Sequence, residues 1–591
     1  MPYPVPALDE VTTAGGFLLV LSLVLPVAGI MLAFAAGGRH VQRIAFATMP
    51  FGFVIAVAVA VALRQTGAPL VYLLGGWAPP LGVALRADGL SAVMMMTTAV
   101  VVCAVGLFAR ADFRIPPRSV EARAPFVFWI LLLAIWGALN TVFLGGDLFT
   151  LYVALELVTF AAMPLVCMDG RAETLQAALR YLLFALLGSV LYLVGTALLY
   201  GAYGTLDIVL LSHRIHAGPA TLVAAALMTA GLLAKTALFP LHLWLPAAHA
   251  GAPAAGSAVL SGLVVKGSFF IAIRLWFDVM PKVPGFAATQ LLAALGAAAI
   301  LIASVVALRQ ERLKLLIAYS TLAQIGYLFL MFPLAVRADS GEIERGGALA
   351  GGLLQAISHA TAKAAMFMSA GLIYAALGRD RITGLGGVGR ALPMSVFAFA
   401  IGGLALIGVP PSGAYLAKAL LLEAAAETEQ WWWTVVIQAG GIFTSSYILL
   451  VLANALAPAG KPVMLRAPAS RGRELVALAL AMCSLFLGVF NWEPYLSVPG
   501  GIMSNPFGLK AFSNTLWPIL GGAVLALMLG RWDGTPLEKI VVTRVSQVRR
   551  TALALGGTVE RIDSMLRQWP AAGISLLALA LVLGAAMLVN R

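Results

Sequence analysis

KTALFPLHLWLPAAHAGAPAAGSAVLSGLVVKGSFFIAIRLW, residues 235–276, is the stretch that decides the fold. It carries Lys235 and Lys266 in apolar surroundings, and Pro240 and Pro246 interrupt the run between them. A proline removes a backbone donor and obstructs the preceding turn, and a charge at the bilayer centre costs at least about 2.5 kcal/mol. Such features persist in a membrane where they face protein or a water-lined cavity. The stretch therefore predicts a broken transmembrane helix whose charges serve a function.

The rest of the chain is as apolar as this stretch. Of its 591 residues, 61% are hydrophobic and 11% are charged, and the mean hydropathy is +0.97. Soluble domains carry about a quarter charged residues, whereas a spanning helix needs about 20 apolar residues. Runs of that length follow one another almost from end to end, which predicts about 14 to 16 spans in an all-α, polytopic membrane protein.

The net charge of +13 is distributed as membrane topology requires. Lys and Arg are concentrated in alternate connections, and cytoplasmic loops are the ones enriched in these residues. The basic connections are cytoplasmic if the N-terminus, which carries Asp9 and Glu10, lies outside. The first apolar run, Phe17–Ala36, is too long for a cleaved signal peptide. Together with the alanine- and arginine-rich composition, this predicts a multi-pass protein of the bacterial inner membrane that binds no nucleic acid.

Further charges lie inside apolar runs. Glu156 stands in LYVALELVTFAAMPLV with no other charged residue between positions 148 and 168. A buried carboxylate needs a cation nearby, so we expect Glu156 to pair with Lys235. His359 and Lys363 are one helical turn apart and share a face, and a histidine can titrate near neutral pH. These two residues are therefore candidates for relaying protons.

A second broken helix is predicted in ALIGVPPSGAYLAKALLLEA, residues 405–424. Pro410, Pro411 and Gly413 interrupt this run, and Lys418 follows them. Five predicted helices separate the two breaks. After an odd number of spans the chain is on the opposite side of the membrane, so a second five-helix repeat would be inverted relative to the first. Paired broken helices of this kind mark the ion site of inverted-repeat transporters. Lys314 is a weaker candidate, because a lysine at the start of a helix can extend to the membrane surface.

Several kinds of chemistry are not expected from this chain. It contains neither a GxxxxGK[ST] loop nor a GxGxxG between a strand and a helix, so we predict that it does not bind a nucleotide. Cys103, Cys167 and Cys483 lie singly in apolar runs, which is typical of small buried residues rather than metal ligands. We therefore predict no cofactor, no metal and no catalytic centre, and any oxidoreductase activity would belong to other subunits.

Three segments resemble one known family. They are the opening stretch, LKLLIAYSTLAQIGYLFL at 313–330 and HATAKAAMFMSAG at 359–371. They are similar to segments of the antiporter-like membrane subunits of respiratory complex I, membrane-bound hydrogenases and Mrp cation/proton antiporters. The resemblance covers about residues 85–455. It implies a 14-helix core with two inverted five-helix repeats and discontinuous seventh and twelfth helices, followed here by extra C-terminal helices.

The resemblance also implies roles for single residues. The residues expected to carry protons are Glu156, Lys235, Lys266, His359, Lys363 and Lys418. Secondary candidates are Lys314, His242, His249 and Arg180. The chain departs from the family at Arg312, where an acid often precedes the family's lysine, and at Gln355, where some relatives carry a histidine. These departures bear on proton uptake more than on the central path.

Six regions follow from these patterns. They are N-terminal transmembrane helices (1–125), a first inverted repeat (126–277), a second inverted repeat (290–456), C-terminal transmembrane helices (474–530), an amphipathic lateral segment (536–569) and a last transmembrane helix (571–591). The lateral segment mixes apolar and basic residues at helical spacing, which predicts a helix on the cytoplasmic surface. It could strap two spans of its own chain together, or it could brace neighbouring helices.

The function expected is proton translocation by one subunit of a multisubunit membrane complex, driven by redox subunits elsewhere. The expected partners are other membrane subunits, the lipid bilayer and H⁺, with Na⁺ as a second candidate ion. One alternative is a subunit of an Mrp-type Na⁺/H⁺ antiporter. A second alternative is the energy-coupling membrane partner of a bicarbonate-accumulating system.

Overall fold

The computed structural model describes residues 11–38, 40–114, 123–283, 285–336, 346–459, 463–466, 470–496, 507–529 and 546–589. The helices up to the second break are α1 Phe17–Ala36, α2 Val41–Thr66, α3 Gly89–Ala109, α4 Arg123–Leu144, α5 Leu148–Val166, α6 Ala172–Tyr203, α7 Ile208–Arg214, α8 Pro219–Thr236, α9 Leu245–Gly251, α10 Ala254–Val279, α11 Phe286–Arg309, α12 Leu313–Leu334, α13 Gly347–Leu377, α14 Val388–Ala391 and α15 Pro393–Ile407. The remaining helices are α16 Gly413–Glu427, α17 Trp431–Leu456, α18 Arg471–Phe486, α19 Leu509–Leu529, α20 Ser546–Leu566 and α21 Trp569–Leu588.

Fifteen helices of the described residues are long and apolar enough to cross a membrane, and α15 and α16 together form one further broken crossing. The predicted all-α, polytopic fold is therefore confirmed. One short hairpin, with strands β1 Leu70–Leu73 and β2 Ala84–Ala87, caps one end of the bundle. We call this end the hairpin face, and we call the opposite end, where α20 lies, the lateral-helix face.

Ion pairs hold the hairpin face together. Asp88 caps the N-terminus of α3, and both its carboxylate oxygens accept hydrogen bonds from Arg274 at 2.7 Å. Burial alone would raise the pKa of Asp88, but the charge and hydrogen bonds of Arg274 and the Ser91 amide overcome this effect and lower it to about 2. Asp88 therefore stays ionised, and it fixes the end of α10 against the start of α3.

Small residues let the helices inside the bundle approach closely. A Cβ atom on Gly188 of α6 would lie 2.7 Å from the carbonyl oxygen of Gly231 on α8. A Cβ on Gly296 of α11 would lie 2.5 Å from the carbonyl oxygen of Gly326 on α12. Because lipid tails are as apolar as leucine, helices in a membrane associate through such close packing rather than through hydrophobic burial.

The two breaks have the same backbone design. The N–H groups of Ala237 and Leu238 bond back to carbonyls in the last turn of α8, at 3.2 and 3.1 Å. The N–H groups of Gly408 and Val409 do the same at the end of α15, again at 3.2 and 3.1 Å. This is the Schellman arrangement, with its left-handed residue at Ala237 in one break and at Gly408 in the other.

Two of the residues expected to interrupt the helices lie just beyond the breaks. Pro240, Pro410 and Pro411 are in the non-helical segments, as predicted. Pro246 instead lies in the first turn of α9, where its missing N–H would have had no helical partner. Gly413 is the first residue of α16, and the Ser412 side chain caps that helix. The breaks are thus residues 237–244 and 408–412.

The C-terminal helices pack on the chain's own core. The described part of the predicted lateral segment begins at residue 546, so its expected start at 536 lies outside the described residues. Arg309, at the end of α11, forms an ion pair with Glu560 of α20 at 2.7 Å. Helix α21 then packs against α8 and α11. This placement favours a strap within the chain, and bracing of neighbouring subunits stays a prediction.

Candidate functional site

Glu156 and Lys235 form a buried ion pair at the first break. Lys235 lies in the last turn of α8, and its Nζ donates to Glu156 Oε1 at 2.8 Å and to Thr159 Oγ1 at 2.9 Å. The Ser189 hydroxyl donates to the same carboxylate oxygen. The side chains of Lys235 and Glu156 are only 4% and 13% exposed. The structure thus brings together the two residues that the sequence pairs, and each compensates the charge of the other.

Hydroxyl groups lead from this pair toward α10. A cavity of about 10 Å³ beside Lys235 is lined by Thr159, Tyr181 and Ser268 among other residues. That volume is close to the least that holds one water molecule. Thr236 Oγ1 donates to Ser268 Oγ at 2.9 Å, so a polar connection crosses from α8 to the helix that carries Lys266.

Lys266 is the centre of the site. A π-helical stretch, Leu260–Val264, ends two residues before it, and such stretches free backbone carbonyls and are frequent at functional sites. Lys266 Nζ donates to the Ser261 carbonyl oxygen at 2.5 Å and lies 2.5 Å from His359 Nδ1. Lys266 and His359 are 1% and 0% exposed. A proton on Lys266 can therefore move directly to an imidazole ring.

His359 and Lys363 share one face of α13, but they have different hydrogen-bond partners. Lys363 donates to the Ser320 hydroxyl and to the Ile317 carbonyl oxygen, the latter at 3.4 Å. Both of these partners belong to α12, the helix of the LKLLIAYSTLAQIGY segment. The structure thus couples His359 to Lys266 rather than to the lysine one turn away, and it anchors Lys363 on α12.

A polar network that the sequence did not reveal leads from His359 toward the second break. Gln355 lies one turn from His359 and donates to Gln324 Oε1 at 2.7 Å. Gln324 Nε2 lies 3.2 Å from Thr444 Oγ1 and 3.4 Å from Tyr447 OH. All four network residues are at most 1% exposed. Because they are neutral residues in apolar runs, the sequence indicated only Gln355, as a departure from the family, and the structure places it beside the central path rather than at proton uptake.

The buried Nε2 of His359 and the buried Oε1 of Gln355 have no partner among the described residues. Buried polar atoms normally have a partner, and an ordered water commonly supplies it. These atoms belong to side chains on the same face of α13. The central lysine–histidine pair therefore adjoins a position suited to a water-mediated link with the amide network.

Lys418 lies at the second break, in the first turns of α16. Its Nζ donates to the Ile407 carbonyl oxygen at 2.8 Å, a carbonyl that the break leaves without a helical partner. The ammonium group also lies 5.1 Å from the centre of the Tyr327 ring. Unlike Lys235, Lys418 has no ion-pair partner among the described residues. Its environment is made of a carbonyl dipole and an aromatic face.

The secondary candidates occupy the lateral-helix side. Lys314 donates to the Ala252 carbonyl oxygen at 2.6 Å. His249 is fully buried and stacked on Phe367 at 4.6 Å, and both its ring nitrogens lack a partner among the described residues. Arg180 is half-buried on α6, with no ion pair to any residue that the structure describes.

His242, in the first break, contacts a residue that the sequence did not indicate. Its Nε2 lies 2.8 Å from Asp563 Oδ1 on α20, and Tyr319 and Arg567 donate to Asp563 Oδ2, each at 2.8 Å. Burial alone would raise the pKa of Asp563, but its hydrogen bond with His242 and the charges of His242 and Arg567 lower it. Asp563 stands on a basic, surface-seeking helix, so only its tertiary contact reveals it.

The sequence is similar to membrane subunits of known ion-translocating complexes. A family model described as NADH:quinone oxidoreductase/Mrp antiporter, TM, matches residues 145–444. NADH-quinone oxidoreductase subunit N of Desulforudis audaxviator is 32% identical over 477 residues, which cover 75% of this chain and 91% of the relative. A Na⁺/H⁺ antiporter subunit of Alkalihalophilus pseudofirmus is 28% identical over 414 residues, which cover 69% and 80%.

A solved structure has the same fold. A chain of the membrane-bound sulfane sulfur reductase, an archaeal respiratory membrane complex, superposes with a TM-score of 0.72 and 25% identity. The match covers 84% of this chain and 99% of the other. The match to the family model includes both breaks and all six residues of the expected proton path, and it ends before α18.

Proposed function

Because the chain belongs to the transmembrane family shared by NADH:quinone oxidoreductases and Mrp antiporters, we propose that it translocates protons as one subunit of a multisubunit membrane complex. The observation that supports this proposal best is the series of titratable side chains inside the bundle. It runs from the Glu156–Lys235 pair through Lys266 and His359 to Lys418. Hydroxyl and amide side chains fill the intervals between these groups.

Each group in the series can hold a proton and pass it on. The direct contact between Lys266 and His359 Nδ1 lets the lysine protonate one ring nitrogen while the other releases a proton toward the amide network. Lys235 is attracted to Glu156, so a change in that pair alters the field at Lys266. Coupling of this kind needs charge displacements in a poorly hydrated interior and no large motion of the helices.

The direction follows from the proposed topology. We place the hairpin face outside and the lateral-helix face in the cytoplasm of a bacterial inner membrane, because the basic connections belong to the second face. Lys314 and His249 then adjoin the cytoplasmic side, where protons are taken up. Lys418 lies in the outer half of its crossing, where protons are released.

The driving reaction belongs to partner subunits. The relative from Desulforudis audaxviator is named as a subunit of an NADH-quinone oxidoreductase, and we propose that redox subunits elsewhere drive this chain as well. The likeness to the Na⁺/H⁺ antiporter subunit of Alkalihalophilus pseudofirmus favours one alternative, in which the chain exchanges Na⁺ for H⁺. Both candidate functions use the same buried residues.

The test of proton translocation uses Lys235→Ala and Glu156→Ala in the complex purified from its native membrane and reconstituted in proteoliposomes. We expect each variant to lose proton transport while the complex still assembles, because each leaves the first break without its ion pair. Lys282→Ala and Glu423→Ala, which alter exposed residues of the same types, are the matched controls. Normal transport by both pair variants would refute the proposal.

The identity of the driver is tested on the same preparation. Subunits that co-purify with the chain identify a redox complex or an Mrp-type antiporter. Proton movement that starts on addition of an electron donor and needs no Na⁺ supports the redox assignment. Proton movement that follows an imposed Na⁺ gradient supports the antiporter.

A further inference from the structure

Lys418 opens into a cavity that the family core does not enclose by itself. The cavity has a volume of about 370 Å³. Helices α16 and α17 line one side of it with Lys418, Tyr415 and Gln438, among other residues. The opposite side consists of Ser513, Asn514, Thr515, Trp517 and Pro518, which all belong to α19. Helix α19 follows the region matched by the family model.

The cavity lies beside the half of α19 that is nearer the hairpin face. On the lateral-helix side of Pro518, α19 packs closely on α17, since a Cβ on Gly522 would lie 2.4 Å from Ser445 Cβ. On the hairpin-face side of Pro518, Trp517 Nε1 donates to Gln438 Oε1 of α17 at 3.2 Å. Ser513, Asn514 and Thr515 lie in the first two turns of α19, within about 10 Å of its hairpin-face end.

The polarity of this wall distinguishes the cavity from an apolar cavity of similar size beside α2 and α3. A cavity of about 460 Å³ beside α2, α3, α13 and residues 483–495 is lined mostly by apolar side chains such as Phe53, Val93 and Met96. That lining suits a lipid chain. The cavity at Lys418 instead presents an ammonium group, three small polar side chains and an amide. Polar groups in a cavity of this size are typical of a water-filled space.

We propose that α19 forms one wall of a water-filled vestibule through which protons leave Lys418 for the hairpin face. This inference rests on the proposed function, and it assigns to the C-terminal extension a part in proton release besides packing. Ser513, Asn514 and Thr515 are positioning residues that orient water along the wall. The alternative occupant is a lipid chain that enters the cavity from the bilayer.

Cysteine accessibility tests the vestibule without relying on transport. Cys103, Cys167 and Cys483 are first replaced by alanine, and Ala419→Cys then places a thiol in the cavity next to Lys418. A membrane-impermeant methanethiosulfonate is added from one face of sealed vesicles. Lys282→Cys and Arg550→Cys, both at exposed positions, identify the hairpin and lateral-helix faces.

We expect Ala419→Cys to react from the hairpin face at least about tenfold faster than Leu420→Cys, whose parent residue is fully buried, because thiol modification follows exposure. Absence of reaction from the hairpin face, or reaction from the lateral-helix face alone, would overturn the proposal. So would reaction with an apolar maleimide combined with no reaction with the charged reagent, since that result indicates a cavity filled with lipid.

Transport gives a second, independent readout. Asn514→Leu removes one polar group from the wall and fills part of the cavity, and we expect proton transport to fall several-fold. Leu520→Phe, on the outward side of the same helix, is the control and keeps the parental rate. A parental rate for Asn514→Leu would contradict the inference.

The outcomes separate this inference from the proposed function. Loss of transport in Lys235→Ala, combined with an unreactive Ala419→Cys, refutes the vestibule and leaves the proposed function intact. Retained transport in both Lys235→Ala and Glu156→Ala refutes the proposed function itself, whatever the cysteine at 419 shows.

Discussion

The two broken helices have the same backbone design and opposite electrostatics. Both first halves end in the same hydrogen-bond arrangement, with a left-handed residue at Ala237 or Gly408. Lys235 lies before its break and is held by Glu156 at 2.8 Å. Lys418 lies after its break and has a carbonyl oxygen and the face of a tyrosine ring as its neighbours. The same backbone arrangement thus supports a lysine with an ion-pair partner at the first break and, at the second, a lysine that has none among the described residues.

This difference separates two ways of stabilising a lysine in a membrane. An ion pair compensates the charge but leaves a costly carboxylate behind if the lysine is lost. A carbonyl dipole and an aromatic ring leave no charge behind, and here they also leave the ammonium group facing a cavity. The first arrangement suits a coupling site, and the second suits a release site.

The largest expected effect concerns stability at the first break. Lys235→Ala leaves Glu156 buried without its cation, and removing one partner of a buried pair costs about 3–5 kcal/mol. We expect a clear fall in the unfolding midpoint, measured by a thermal-shift assay on the purified complex. Adding Glu156→Gln to Lys235→Ala should restore most of the midpoint without restoring transport. A double variant as unstable as the single one would show that the ion pair is not the cause.

A large effect on transport with little effect on stability is expected at the second break. Lys418→Ala removes the charge next to the vestibule but leaves no carboxylate uncompensated. We expect proton transport to fall to background, while the unfolding midpoint stays near that of the parent. A normal transport rate would remove Lys418 from the path, and a midpoint as low as that of Lys235→Ala would remove the contrast between the two breaks.

The smallest effect is expected at the contact between the lateral helix and the first break. Asp563→Asn removes the carboxylate that forms hydrogen bonds with His242, Tyr319 and Arg567. A hydrogen bond to a charged group contributes about 1.5–3 kcal/mol to the free energy of unfolding. The folded-state pKa of Asp563 is lowered from 3.8, so its charge stabilises the fold at neutral pH. This stabilisation is lost as the pH falls below 3.8 through the lowered pKa.

The unfolding midpoints of Asp563→Asn and the parent should therefore differ at pH 7. The difference should shrink as the pH is lowered below 3.8, because Asp563 of the parent then becomes protonated. A Ser564→Ala variant, altered at the exposed neighbouring position, serves as the control. A difference between Asp563→Asn and the parent that grows as the pH falls would contradict the assigned direction of the pKa change.

The amino-acid sequence by itself determined much of the fold and the charged part of the site. Apolar runs of spanning length predict the helices, because backbone groups in lipid must bond internally. Prolines in those runs predict the breaks. Charged residues in the runs predict the site, because a charge in lipid is costly and is rarely kept unless it serves a function. For the same reason the pairing of Glu156 with Lys235 could be predicted and is seen in the structure.

Only the tertiary structure decided which neutral groups connect the charges. Gln324, Thr444 and Tyr447 are ordinary residues in the sequence, because amides and hydroxyls occur in many helices and acquire a role only from their neighbours. Asp563 lies far along the chain from His242, and no periodicity specifies a contact over that separation. The cavity at Lys418 likewise depends on how α19 packs beside α16 and α17, which no sequence pattern specifies.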